Sequence, residues 1–102
     1  MNLSMMKQAM ELKSKMQKVQ KELAKTRVEA SAGDGLVQVT ANGQQKILSI
    51  KIAAEAMDPA HPDKLEKLVF KAVAGALEES KKVANERLGA LTGGFKIPGL
   101  TE

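Results

Sequence analysis

Apolar side chains recur along the first quarter of the chain at the spacing of a helix with one narrow apolar face. Successive positions are separated by four, three, four, three and four residues, which is the a/d alternation of a coiled coil. The residues between them are strong helix formers. The pattern predicts a helix over about residues 3–26, roughly 35 Å long at 1.5 Å per residue, with Asn2 or Ser4 as its N-cap. We call its apolar stripe the seam, which consists of Met5, Ala9, Leu12, Met16, Val19 and Leu23.

The next segment, about residues 27–52, alternates apolar and polar side chains with a period of two, as half-buried β-strands do. Turn-forming residues lie at 32–35 and at Asn42-Gly43, and Asn-Gly between two alternating runs is a strong hairpin signal. The pattern predicts a three-stranded antiparallel meander with two open edges and one apolar face that needs cover. The inward positions are expected to be Val28 and Ala30, then Val37, Val39 and Ala41, then Leu48, Ile50 and Ile52.

Prolines separate this sheet from a second helical pattern. Two Xaa-Pro dipeptides, at residues 58–59 and 61–62, enforce a turn in a predicted loop over 53–62. A short helical turn at about 53–57 is expected to precede them.

The second helix is predicted over about residues 63–91. Asp63 with Glu66 three residues later is a variant of the capping box, and a wide apolar face follows. Gly93-Gly94 is expected to end the helix and to leave a tail over residues 92–102.

The predicted order of elements, α-β-β-β-α, is that of a small α+β fold. At 102 residues the chain is long enough for one modest core, and we expect a single domain over residues 1–102. A core of this size is marginal for a monomer.

The seam is longer than the sheet that it could cover. A strand of about six residues is roughly 20 Å long, so part of a helix of roughly 35 Å projects beyond it. Burying the larger seam residues would contribute roughly 1.5–3 kcal/mol each, too much to leave in water. The seam can pack within the chain's own core, pair in a homodimer, or form a helical-hairpin arm with the C-terminal helix. We favour a homodimer or a helical-hairpin arm, and the sequence does not say whether a dimer would form through the sheet or through a helix.

Positive charge is concentrated in the first helix. The chain has a formal net charge of +4. Residues 1–27 contain seven Lys and Arg against two Glu, a net charge of +5, so the remaining 75 residues have a net charge of −1. A localised basic element of this kind indicates a polyanionic partner.

The lysines of this helix form a face and its flanks. At about 100° per residue, four of them fall within about 60° of one another and face away from the seam, and two flank the seam at e and g positions. Only Glu11 and Glu22 are available to pair with them. Lysine is a point charge suited to phosphate, and the only aromatic residues are two Phe, so the composition favours contacts with the backbone of a nucleic-acid duplex and weak sequence preference. The candidate DNA-binding residues are the lysine face (Lys7, Lys18, Lys21 and Lys25), the flanking Lys13 and Lys15, and the lesser candidates Arg27, Lys81, Lys82 and Arg87.

Residues for other chemistry are sparse. There is no cysteine, which excludes disulfides and thiolate metal sites. The single histidine, His61, is predicted to be a solvated loop residue, and the neighbouring Asp58 and Asp63 have simpler uses in the turn and the cap. The Gly-Asp-Gly at 33–35 lacks the spacing of a phosphate loop and precedes a strand. We therefore expect no catalytic residue, no metal, no cofactor and no small-molecule substrate.

These patterns favour a non-enzymatic protein that binds a nucleic-acid duplex. No apolar stretch approaches the roughly 18–20 residues of a membrane span, and the N-terminus lacks the apolar block of a signal peptide, so a cytoplasmic location without membrane contact is expected. The alternative is a coiled-coil adaptor or chaperone-like protein that uses the Met-rich seam to hold apolar partners. The residues alone do not separate DNA from RNA.

Three segments resemble one known family. They are "MMKQAMELKSKMQKVQKELAK" (5–25), "GDGLVQVTANGQQKILSIKI" (33–52) and "LTGGFKIPGL" (91–100), and they are similar to the YbaB/EbfC family of bacterial nucleoid-associated proteins. The resemblance implies an architectural, nucleoid-associated homodimer with a shared α+β core whose helices project as tweezer-like arms that hold duplex DNA. The family often has Ile-Asp-Pro after the third strand, whereas "AAEAM" separates Ile52 from Asp58 in this chain.

Overall fold

The computed structural model describes residues 2–91 and has the predicted α-β-β-β-α order. The predicted end of the second helix at Gly93-Gly94 and the tail over residues 92–102 lie outside the described residues. The elements are α1 (Leu3–Lys25), β1 (Arg27–Ala32), β2 (Val37–Asn42), β3 (Ile47–Ile52), a short 3-10 helix (Ala54–Ala56) and α2 (Pro62–Leu91). The α+β fold class expected from the sequence is confirmed.

Helix α1 begins and ends at side chains that satisfy its backbone. Of the two predicted caps, Asn2 is the one used: its side chain accepts a hydrogen bond of 2.8 Å from the Met5 amide. At the other end, the Thr26 backbone is extended, and the Thr26 hydroxyl donates to the Glu22 carbonyl at 2.8 Å. Only one residue separates Lys25, the last helical residue, from the first strand.

Helix α2 begins one residue earlier than the capping pattern predicted. It starts at Pro62, where proline is well tolerated because the first helical N–H groups have no partner within the helix. Asp63 therefore lies in the first turn and not at the predicted N-cap. Its negative charge there still favours the helix, because the first turn is the positive end of the helix dipole.

The sheet is an antiparallel meander in the order β1-β2-β3. In the first turn Gly33, Asp34 and Gly35 all have positive φ, and a side chain on Gly33 would come within 2.9 Å of Leu68. In the second turn the positive φ falls on Gln45, not on the Asn-Gly pair. Gly43 is instead a point of close approach, where a Cβ would lie 2.8 Å from the Leu23 side chain.

Helix α2 covers the inner face of β1 and β2. The buried core joins sheet residues to small helix residues, so helix and sheet approach closely; Gly75 of α2 lies against Ala30, where a Cβ would be 3.1 Å away. Burial of a valine in such a core contributes roughly 1.5–3 kcal/mol. The core consists of Ala32, Val37, Val39, Ala41, Ala72 and Ala76.

The prediction that β3 buries its apolar residues is wrong for the chain by itself. Ile50 pairs with Val39 and Ile52 pairs with Val37, so these isoleucines lie on the same face as the buried valines. They are nevertheless 46% and 42% exposed, because α2 lies over the other two strands. Leu48, which is 42% exposed, lies beside a register shift between β2 and β3. The third strand therefore presents an uncovered apolar face.

Candidate nucleic-acid interface

Helix α1 is covered only near its C-terminal end. Within the seam, Leu23 is 1% exposed and Met16 and Val19 are half-buried, whereas Leu12 is 44% and Met5 55% exposed. Among the described residues the N-terminal half of the helix therefore has no cover, and it projects as the length of the seam predicted. We call α1 the arm.

The β2–β3 turn holds the base of the arm. The Gly43 amide donates to the Leu23 carbonyl at 2.8 Å, and the Asn42 side-chain amide donates to the Ala24 carbonyl at 3.2 Å. The Gln44 side chain reaches further along the helix and donates to the Gln20 carbonyl at 3.0 Å. The bonds to Leu23 and Ala24 satisfy carbonyls in the last turn of α1, which a helix leaves without partners of its own.

The same turn is tied to α2 by a buried hydroxyl. Ser80, which is fully buried, donates to the Asn42 carbonyl at 2.6 Å and accepts a bond of 2.8 Å from the Gln45 amide. Asn42 and Ser80 thus position the arm relative to the sheet and α2. The sequence analysis gave neither residue a role in positioning the arm, although a serine within the apolar face of α2 is a signal of a buried hydrogen bond.

The continuous helix places the lysine face where the wheel predicted. Lys7, Lys18, Lys21 and Lys25 are all exposed and lie along 18 residues of α1, or roughly 27 Å at 1.5 Å per residue. The flanking Lys13 and Lys15 are also exposed.

No lysine of the arm is neutralised by an acid within residues 2–91. The ion pairs in that part of the chain are Arg87 with Glu22 and His61 with Asp58. Within the described residues the lysines of the arm are therefore free of close ion pairs.

The lesser basic candidates are placed less favourably. Arg87 Nη1 lies 3.4 Å from Glu22 Oε2. This ion pair links α2 to the arm and partly compensates the charge of Arg87. Lys82 is exposed and Lys81 half-buried, and Glu78 and Glu79 precede them on the same helix. Arg27 is exposed at the start of β1, close in sequence to the base of the arm.

The arm also carries apolar side chains that the sequence analysis did not single out. Leu3 is 84%, Met6 48% and Met10 70% exposed, and they are spaced three and four residues apart. We call these three residues the tip cluster. Their helical spacing was visible in the sequence, but the longer seam on the same helix masked it.

The histidine is more organised than expected. Its Nδ1 lies 3.0 Å from an Asp58 carboxylate oxygen, so the two residues are paired in space and not only adjacent in sequence. Asp58 also accepts a bond from the Ala60 amide, which is the turn role predicted for it. Both His61 and Asp58 are about half exposed, and residues 2–91 contain no cluster of three His, Cys, Asp or Glu side chains that could bind a metal. Neither α1 nor α2 is long and apolar enough to cross a membrane.

Fold and surface together define a small α+β protein whose sheet carries a projecting basic helix. The chain belongs to the YbaB/EbfC DNA-binding family, whose model matches residues 1–95. The resemblance noted in the sequence is thereby confirmed.

Relatives of similar length support this assignment. A nucleoid-associated protein of Myxococcus xanthus is 46% identical over 95 residues, which are 93% of this chain and 90% of the relative. One from Pelotomaculum thermopropionicum is 42% identical over 96 residues, which are 94% of this chain and 91% of the relative. The crystal structure of an uncharacterized protein from Helicobacter pylori has the same fold, with a TM-score of 0.78 at 14% identity over 91% of this chain and 99% of that one.

Proposed function

We propose that the chain is a non-enzymatic, architectural protein that binds duplex DNA as a homodimer, through phosphate contacts from the lysine face. The observation that carries the proposal is an exposed row of lysines, without an acidic partner among residues 2–91, on a helix that projects from the sheet. The names of the relatives, nucleoid-associated proteins, support a nucleoid location.

The chemistry of the arm suits phosphate more than bases. Lysine ammonium groups neutralise phosphates and release condensed counterions, a term that is independent of sequence and strongly dependent on salt. Recognition of guanine favours the planar guanidinium group of arginine, whereas the basic residues of the arm are lysines. The proposal therefore includes a weak sequence preference.

The salt dependence of binding tests this proposal. Fluorescence anisotropy with a labelled duplex of about 30 base pairs should show log K falling with log salt by about 0.9 per phosphate contact, or roughly 3.6 for one four-lysine face. A matched RNA duplex added as competitor separates DNA from RNA. Absence of binding even at roughly 50 mM salt would contradict the proposal, because lysine–phosphate contacts are strongest there.

We place the dimer interface on the uncovered face of β3. Ile50 and Ile52 leave nearly half of their surface in water on a face that is otherwise the core, and β3 pairs only with β2, so its other edge is open within the described residues. A second copy related by two-fold symmetry would cover this face, and Ile50 and Ile52 of both copies would then be buried. Such a dimer joins two arms in one particle.

Charges placed on this face should dissociate the dimer. In the variant Ile50→Glu/Ile52→Glu, each buried unpaired carboxylate costs several kcal/mol, so we expect a monomeric mass in light scattering or sedimentation velocity. The matched control is Ser49→Glu, which adds a charge to the same strand on the opposite sheet face and should leave the dimer intact. If the double variant stays dimeric with wild-type helix content, the interface does not lie on this face, and the seam becomes the first alternative.

One observation favours a second candidate function. Met5 and Leu12 are exposed on the seam, and an exposed Met-rich stripe suits an adaptor or chaperone-like protein that holds apolar partners. This function depends on the seam, whereas DNA binding depends on the lysine face. Substitutions on the two faces therefore separate them.

A further inference from the structure

The tip cluster is the most exposed apolar group on the arm. Leu3, Met6 and Met10 lie within the first three turns of α1, and Leu3 and Met10 leave most of their surface in water. Three such side chains side by side are unusual on a free surface, because each would contribute roughly 1.5–3 kcal/mol if buried.

Leu3 and Met10 of the tip cluster lie on the same side of the helix as the lysine face, and Met6 lies at the edge of that side, about 60° from Leu3. Eighteen residues are five helical turns, so Leu3 projects in the same direction as Lys21, and Lys7 in the same direction as Lys25. Met10 lies within about 20° of Leu3 by the same geometry. One side of the arm is therefore basic along its length and apolar at its tip, and a ligand that covers it offers anionic and apolar groups together.

Duplex DNA offers this combination in its major groove. The groove is about 12 Å wide and admits a helix of about 10–12 Å in diameter, whereas the minor groove is only about 6 Å wide. Phosphates line both sides of the groove, and the apolar group on its floor is the C5-methyl group of thymine. Leucine and methionine have no strong hydrogen-bonding groups, so methyl contact is the recognition open to them.

We propose that the tip of the arm enters the major groove and packs Leu3, Met6 and Met10 against thymine methyl groups. The inference rests on the proposed binding of duplex DNA by the lysine face and adds a contact with the bases. Methionine is unbranched and adapts to surfaces of different shape, so the contact favours thymine-rich DNA without demanding one sequence.

Replacing thymine by uracil removes this methyl group and keeps every base pair. We would measure binding of the full chain to two duplexes of about 30 base pairs, one with thymine and one with uracil at all A·T pairs, at the same salt concentration. A buried methyl is worth about fourfold in affinity, so loss of one or two contacts should weaken wild-type binding to the uracil duplex by roughly 4- to 15-fold.

Two variants assign the effect to the tip cluster. Leu3→Ala/Met6→Ala/Met10→Ala keeps the charge and the helix propensity and should bind both duplexes equally, with the salt slope of the wild type. Met5→Ala/Leu12→Ala truncates exposed apolar residues on the seam and should keep the preference for thymine.

The experiment distinguishes failure of the thymine contact from failure of DNA binding by the lysine face. Steep, salt-dependent binding of both duplexes with equal affinity by the wild type would overturn the methyl contact and leave phosphate binding in place. A preference for thymine that survives in the tip variant would overturn the assignment to these residues. No binding of either duplex would overturn both proposals.

Discussion

Alanine at all four positions of the lysine face should remove most of the affinity for duplex DNA. In Lys7→Ala/Lys18→Ala/Lys21→Ala/Lys25→Ala, four counterion-releasing contacts per arm are lost, each worth nearly a factor of ten near 0.1 M salt. We expect the association constant to fall by on the order of 10³–10⁴ per bound arm at that salt, and the slope of log K against log salt to fall by roughly 3.6 per bound arm. Anisotropy titrations at several salt concentrations measure both quantities. Helix content should not fall, because alanine is the best helix former and the four side chains are exposed.

A matched variant separates the position of these charges from their number. Lys46→Ala/Lys64→Ala/Lys67→Ala/Lys71→Ala also removes four exposed lysines, but from the β2–β3 turn and the first half of α2. We expect it to lower affinity only modestly, through the weaker long-range field. Equal losses in the two variants would mean that net charge and not the arm determines binding.

An unchanged affinity in the lysine-face variant would mean that these lysines are only a solvated surface. The open half of the seam would then be the functional surface that remains on the arm, and the adaptor function would become the better description. A charge placed in the seam, such as Leu12→Asp, would test the adaptor function, and the expected result is loss of binding to an apolar partner.

Local patterns were enough to predict the elements of the fold. The a/d spacing of the seam, the period-two alternation and the proline punctuation each determine a local backbone preference, and the structure follows them with helix and strand bounds close to those expected. The exception among the caps, Asp63, was shifted because Pro62 already fits the first helical position.

The coverage of each face could not be predicted in the same way. Alternation places Ile50 and Ile52 on the inner face, and they are there, but whether a helix lies over them depends on where α2 crosses the sheet. Small residues such as Ala72, Ala76 and Gly75 let α2 pack closely against β1 and β2. The periodicity of the sequence does not predict this position of the helix. A face left open in this way is a tertiary property.

The base of the arm illustrates the same limit in the candidate site. The lysine face follows from helical geometry alone, but the bonds that aim it come from residues remote in sequence. Asn42 and Ser80 are 38 residues apart and meet at 2.6 Å, and Asn42 reaches Ala24 across 18 residues. The Asn-Gly pair was interpreted as hairpin chemistry, whereas Gly43 is needed because the end of α1 passes close to it.

Truncating Leu23 should loosen the arm from the rest of the chain. Leu23 is the seam residue that the chain buries, at 1% exposure, and it packs against Gly43. Because Gly43 has no side chain, it cannot fill the space left when Leu23 is truncated. Replacement of a buried leucine by alanine typically costs 2–5 kcal/mol in the free energy of unfolding, so we expect about 2–5 kcal/mol for Leu23→Ala. Urea unfolding at a fixed protomer concentration measures the total, since dimer stability depends on that concentration. Hydrogen exchange of the α1 amides should rise more than that of the β2 amides if the arm detaches locally.

Leu12→Ala is the control that differs from Leu23→Ala only in burial. It makes the same substitution in the same helix and on the same seam, but Leu12 is 44% exposed, and we expect a cost under about 1 kcal/mol. A cost for Leu12→Ala equal to that for Leu23→Ala would contradict a free arm, because it would require a second copy to cover the open half of the seam in solution. The two arms would then pair along their seams, and the lysine faces would point outward from a coiled coil and not from separate arms.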